Sequence, residues 1–176
     1  MLVTLAVLSL PTACKPPVSD DDSSRGSAVS SRLAASTPMN SPDSDGAIWT
    51  VGESEARIIY GQPGSSPYLA LACEGEGPDA HIRITRYAPA DEGAGALLAL
   101  VGNSHAARIP VDSTWNGRAW IWEGTISAHA PNLEVITGQR EATATVPGAG
   151  EITLNPSHAP AQLISDCRGE ASLLAQ

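Results

Sequence analysis

The 176-residue chain has no phenylalanine, one lysine, three cysteines and two methionines. Without Phe, the bulk of any core must come from four Trp, three Tyr and the aliphatic side chains. Ten basic residues stand against nineteen acidic ones, giving a net charge of −9 and a pI near 4.7. That balance supplies no basic surface to neutralise a phosphate backbone, so nucleic acid is not expected as a partner. The sequence also lacks G-x-G-x-x-G, a Walker lysine, paired-carboxylate spacing, C-x-x-C, H-x-H and H-E-x-x-H. Neither a cofactor nor a metal is therefore expected, nor an enzymatic activity. At 18.1 kDa the chain has room for one core plus appendages.

Long apolar runs are missing too. The longest near the N-terminus, Leu2 to Leu10, is nine residues, too short to cross a bilayer core of about 30 Å as a helix. It is followed by Pro11-Thr12-Ala13-Cys14, in which small residues directly precede a cysteine. This segment resembles the lipobox of bacterial lipoproteins, with Leu10 one position earlier than the leucine of that motif and Pro11 in its place. The resemblance implies a signal peptide over 1–13 and a mature N-terminus at Cys14 that carries acyl chains such as palmitate. Each buried CH₂ contributes about 0.8 kcal/mol, so several chains on Cys14 would anchor the protein firmly to a lipid bilayer. Lys15 directly after the cysteine favours the outer over the inner membrane within that family's sorting habit. The competing readings are a secreted, unlipidated protein and an apolar strand with a free thiol.

Residues 15–46 hold nine Ser, five Asp, four Pro and two Gly, with Val18, Val29 and Leu33 scattered without period. Such a composition buries too little apolar surface to offset chain entropy, so 14–46 reads as a lipidated cysteine followed by a disordered tether. A flexible chain of that length reaches about 30 Å on average and about 110 Å when straight. The tether carries −2 of the net charge and residues 47–176 carry −7, so the acidity belongs to the domain.

From Ala47 onward short alternating runs are punctuated by Gly, Pro and Asn, the pattern of an all-β domain. Ala80, Ile82 and Ile84 alternate with His81, Arg83 and Thr85, and Ala142, Ala144 and Val146 repeat the pattern. Tyr68 to Cys73 and Ala96 to Val101 are continuously apolar and read as central strands covered on both faces. About eight or nine strands are expected between 47 and 155, forming an antiparallel sandwich or small barrel. One short helix is expected over 160–166, with Leu163, Ile164 and Cys167 on one side.

In an exported protein Cys73 and Cys167 are most simply a disulfide, which would constrain the unfolded chain by about 4.6 kcal/mol. Asn116-Gly117 predicts a two-residue hairpin turn. In that register Trp115 faces Arg118, Ser113 faces Trp120 and Val111 faces Trp122, so three tryptophans share one face. Val111 and Ile109 lie on the same face, which makes it the core face. Trp115 and Arg118 at the tip are the exception, a partly exposed cation–π pair and the candidate contact surface.

Three weaker patterns carry little chemistry. Gly102-Asn103-Ser104-His105-Ala106 is superficially like the G-x-S-x-G elbow, but a strand rather than a helix is expected after it, so it reads as a hairpin turn. His81, His105, His129 and His158, and the acidic loop Glu74 to Asp79, lack ligand spacing for zinc or calcium.

The layout of lipobox-like cysteine, Ser/Asp tether and β-rich domain resembles the small uncharacterised envelope lipoproteins of Gram-negative bacteria. That resemblance implies a location on the periplasmic side of the cell envelope and a domain that binds or scaffolds an envelope protein or glycan. The alternatives are a proteinaceous inhibitor of a lytic enzyme such as lysozyme, which a basic partner and this acidic domain would suit, and a small hydrolase.

Overall fold

Nine antiparallel strands make one continuous sheet in the computed structural model, which describes residues 37–169. The apolar run, Cys14, residues 15–36 of the tether and residues 170–176 lie outside the described residues. The strands are β1 (Ile48–Val51), β2 (Arg57–Gly61), β3 (Leu69–Glu74), β4 (His81–Arg86), β5 (Gly95–Gly102), β6 (His105–Trp115), β7 (Trp120–Ser127), β8 (Ala142–Thr145) and β9 (Glu151–Leu154). Their spatial order is β1-β2-β3-β4-β7-β6-β5-β8-β9. The sheet curls into a half-barrel, an all-β architecture of the small-barrel kind, with one helix, α1 (Ala159–Cys167), after the last strand.

Period-two alternation places the core on the concave face. Ile58 and Tyr60, Leu69 and Leu71, Ile82 and Ile84, Leu98 and Leu100, Ile109 and Val111, Ala142 and Ala144, and Ile152 and Leu154 are all buried. Leu163, Ile164 and Cys167 of α1 join this core, as do Leu133, Val135 and Ile136 from a 3-10 turn at Pro131–Ile136. Each fully buried aliphatic side chain contributes about 1.5–3 kcal/mol. The disulfide Cys73–Cys167 forms as expected and fixes the end of α1 to β3.

Three expectations need correction. The Asn116-Gly117 turn is a four-residue loop, so Trp115 pairs with Trp120, Thr114 with Ile121, Ser113 with Trp122 and Asp112 with Glu123. The Asn116 side-chain oxygen accepts hydrogen bonds from the N–H groups of both Arg118 (2.9 Å) and Ala119 (2.8 Å), and of the two turn residues only Gly117 takes positive φ. This Asx-type capping holds a wider loop than the type I′ turn needs. Because the register moves by two residues, the tryptophans still share the concave face, but Trp115 meets Trp120 instead of Arg118. The tight two-residue turn is at Asn103-Ser104, with φ of 50° and 66°, between the paired residues Gly102 and His105.

The second correction concerns β5. Leu97 and Val101 are about half exposed on the convex face, since no second layer covers that part of the sheet. On β3, in contrast, Leu69, Ala70 and Leu71 are buried on both faces as expected.

The third concerns where the folded unit starts. Residues 39–46, read from composition as tether, are hydrogen-bonded to the domain. The N–H of Met39 donates to Gly148 O, while Ser41 Oγ and Ser44 Oγ accept from the N–H groups of Glu151 (2.9 Å) and Thr153 (3.2 Å). Those two amides lie on the outer edge of β9, where a sheet otherwise exposes unpaired donors. Serines spaced three apart thus serve as edge covers, a use that composition alone does not distinguish from solvation. Across the interior, Tyr60 Oη donates to Thr153 O and accepts from Asn155 N–H, tying β2 to β9.

Candidate functional site

The two ends of the half-barrel differ. At one end lies the β6–β7 hairpin loop, with the segments 62–68, 87–94 and 146–150. Here Trp115, 53% exposed, packs its ring against Trp120 with centroids 5.8 Å apart in a tilted arrangement. Arg118 is exposed in the loop beside them. Exposure falls inward along both strands: Ser113 is half-buried and Val111 buried on β6, and Trp122 is buried behind half-buried Trp120 on β7.

One layer below that rim, three consecutive register positions carry polar side chains on the concave face. Arg86 of β4 pairs with Trp122 of β7, and Trp122 pairs with Ser113 of β6. Arg86 is 3% exposed. Its Nη1 donates to the carbonyls of Tyr68 (3.2 Å) and Tyr87 (3.4 Å), and its Nη2 to Ala149 O (2.8 Å). Among the described residues no carboxylate forms an ion pair with it. Burial accordingly pulls the guanidinium below its ordinary pKa, partly offset by Tyr68. Among the described residues, Arg86 Nε, Trp122 Nε1 and Ser113 Oγ have no hydrogen-bond partner. Arg86 and Ser113 were not singled out from the sequence. The usable signal was present, because Ala80, Ile82 and Ile84 predict that Arg86, next in the same alternation, points inward.

At the other end, an open groove of about 490 Å³ runs between α1, the 131–138 segment and the Asn103-Ser104 turn. His105 Nε2 lies 3.4 Å from Glu134 Oε2 on its wall, and Ser165 and Arg168 line the helix side. Asn103 braces the groove: its Nδ2 donates to Val135 O and its Oδ1 accepts from Arg140 N–H. His105 and Glu134 are both about half exposed, so water screens their attraction.

The other histidines are apart from this pair. His81 joins Glu74 and Arg83 on the convex face, where Glu74 Oε1 also lies 2.7 Å from Arg83 Nη2. His129 reaches Gly77 O and His158 reaches Gln139. No group of three or more His, Cys, Asp or Glu able to hold a metal occurs among the described residues. Glu74, from the acidic loop weighed for calcium, is committed to the His81 and Arg83 contacts. The serine of the elbow-like pentapeptide sits in the tight turn with β6, a strand, directly after it.

No protein-family model, no curated protein and no solved structure matches the chain.

Proposed function

We propose that the protein is a membrane-anchored envelope lipoprotein whose non-catalytic β domain binds another envelope component, protein or glycan, at the tryptophan rim. The observation that carries the binding half is the Trp115–Trp120 pair: a large aromatic side chain is held half in water at the mouth of the half-barrel, beside exposed Arg118. Amphipathic aromatic rings and Arg are enriched where proteins make contacts, and barrel mouths are common ligand sites. The Cys73–Cys167 bond supports the export half, because disulfides persist in oxidising compartments. Cys14 is left over from that pair, as a lipid-bearing cysteine would be.

The test is a photo-crosslinking amino acid at position 115 or 118 in intact cells, with position 97 on the convex face as control. A specific adduct from 115 and 118 but not from 97 is expected. No adduct at the rim, or equal yield at 97, overturns the reading.

A further inference from the structure

Where the convex face carries no second layer, its side chains form a continuous apolar strip. Leu97 and Val101 of β5 are about half exposed, and their cross-strand partners on β6, Pro110 and Ala106, are exposed beside them. Ala99, half-buried, sits between the two. From Leu97 to Val101 the strip runs about 14 Å along the strand. A lone exposed aliphatic residue is ordinary, whereas a contiguous strip marks an interaction surface.

One register row crosses this strip and carries charge at its two ends only. Arg108 of β6 pairs with Ala99 of β5, Ala99 with Thr145 of β8, and Thr145 with Glu151 of β9. Paired residues share a face, so the row reads cation, methyl, hydroxyl, carboxylate, and three strand spacings put its ends about 14 Å apart. Arg108 and Glu151 are exposed, and neither forms an ion pair among the described residues. The Glu151 carboxylate accepts a hydrogen bond from Thr145 Oγ1 (3.0 Å).

We infer that this face is the contact between two copies of the chain, related by a twofold axis that runs parallel to the strands between β5 and β8. Such an axis exchanges the ends of the row, laying Arg108 of one copy over the partner's Glu151 and Glu151 over the partner's Arg108. It also brings the two apolar strips together along its length, since β5 lies beside it. Unlike charges at equal distances from the centre make the row complementary to itself, which selects a second copy as the occupant. Two convex faces touch along a line, so the buried area is small and the long Arg and Glu side chains bridge the gap at the row's ends. The dimer is therefore weak in free solution and stronger where tethers confine two copies. That enhancement rests on the anchored reading above; the contact itself does not.

The full-length Cys14→Ser chain is followed by analytical ultracentrifugation up to about 1 mM, a local concentration that flexible tethering imposes. A monomer–dimer equilibrium is expected. Arg108→Glu and Glu151→Arg should each weaken it at least about tenfold, because each places two like-charged pairs across the contact. Mixed one to one, the two variants should dimerise to within about threefold of the parent, since the mixed dimer restores both unlike pairs. Val101→Asp, in the strip, should weaken the dimer with no such rescue by either variant. Arg108, Glu151 and Val101 are all exposed, so the fold should persist, as near-UV spectra check. A chain that stays monomeric throughout, single variants that dimerise as the parent does, or a mixture no tighter than its components overturns the inference. In cells the contact gives a crosslink at position 97 with twice the chain's mass. That product differs from an adduct with another envelope component at 115 or 118, so either reading can fail alone.

Discussion

Reducing the Cys73–Cys167 bond should destabilise the domain mainly through its unfolded state. The bond joins residues 94 apart, and for a loop of that size the chain-entropy model gives about 4.6 kcal/mol. In the native state little should change, because α1 stays docked through Leu163 and Ile164, which are 5% and 1% exposed and each contribute about 1.5–3 kcal/mol. The assay is urea unfolding of the Cys14→Ser chain, oxidised and reduced, alongside a Cys73→Ala/Cys167→Ala variant, followed by tryptophan fluorescence. The reduced chain should lose about 3–5 kcal/mol and show a larger m-value, since an uncrosslinked chain exposes more surface on unfolding. Near-native far-UV and near-UV spectra without urea should persist. A loss below about 1 kcal/mol, or a collapse of the near-UV signal on reduction without urea, would refute the reasoning.

Four further outcomes follow from the packing. Trp115→Ala should cost less than about 1 kcal/mol, whereas Trp122→Ala should cost about 3–5 kcal/mol in the same denaturation assay, because one ring is half exposed and the other buried. Gly124→Ala should destabilise by more than about 2 kcal/mol: a Cβ there would overlap Pro110 O and come within 2.9 Å of Val111 Cγ1, where β6 lies against β7. Burial raises the Tyr60 phenol above its ordinary value of 10.0. Its stabilising contribution is therefore complete below pH 10 and lost as pH climbs through the folded-state pKa, so thermal melts should decline above pH 10, and less steeply in Tyr60→Phe. Ser41→Ala and Ser44→Ala should each cost about 0.5–1.5 kcal/mol and speed hydrogen exchange at the Glu151 and Thr153 amides specifically.

Which features of the fold are legible in the sequence depends on the interaction that decides each. The inward faces of β4, β8 and β9 were legible because alternation in Ile82/Ile84, Ala142/Ala144 and Ile152/Leu154 is a direct imprint of a one-sided core. The helix and the disulfide were legible for similarly local reasons: Pro160 in a first turn, and two cysteines beyond Cys14. The hairpin register was not, since Asn116 acts through its side chain on Arg118 and Ala119, and that choice competes with the backbone turn its Asn-Gly pair favours. A continuous apolar run at 96–101 is also ambiguous; it looks the same whether or not a second layer lies over Leu97 and Val101. At the candidate site, Trp115 at the rim was readable, but the row Arg86–Trp122–Ser113 depends on strand order, which joins β4 to β7 and not to β5. His105 and Glu134, 29 residues apart, meet only because the 131–138 segment folds back over the β5–β6 turn.

Whether the β domain is held to a membrane through Cys14, as proposed, is decided by the mass of the mature N-terminal peptide from membrane-extracted protein. The expected result is a peptide that begins at Cys14, lacks residues 1–13 and carries the added mass of acyl chains, with labelled palmitate incorporation lost in Cys14→Ala. A mature protein that keeps residues before Cys14, or begins there with an unmodified thiol, would contradict it.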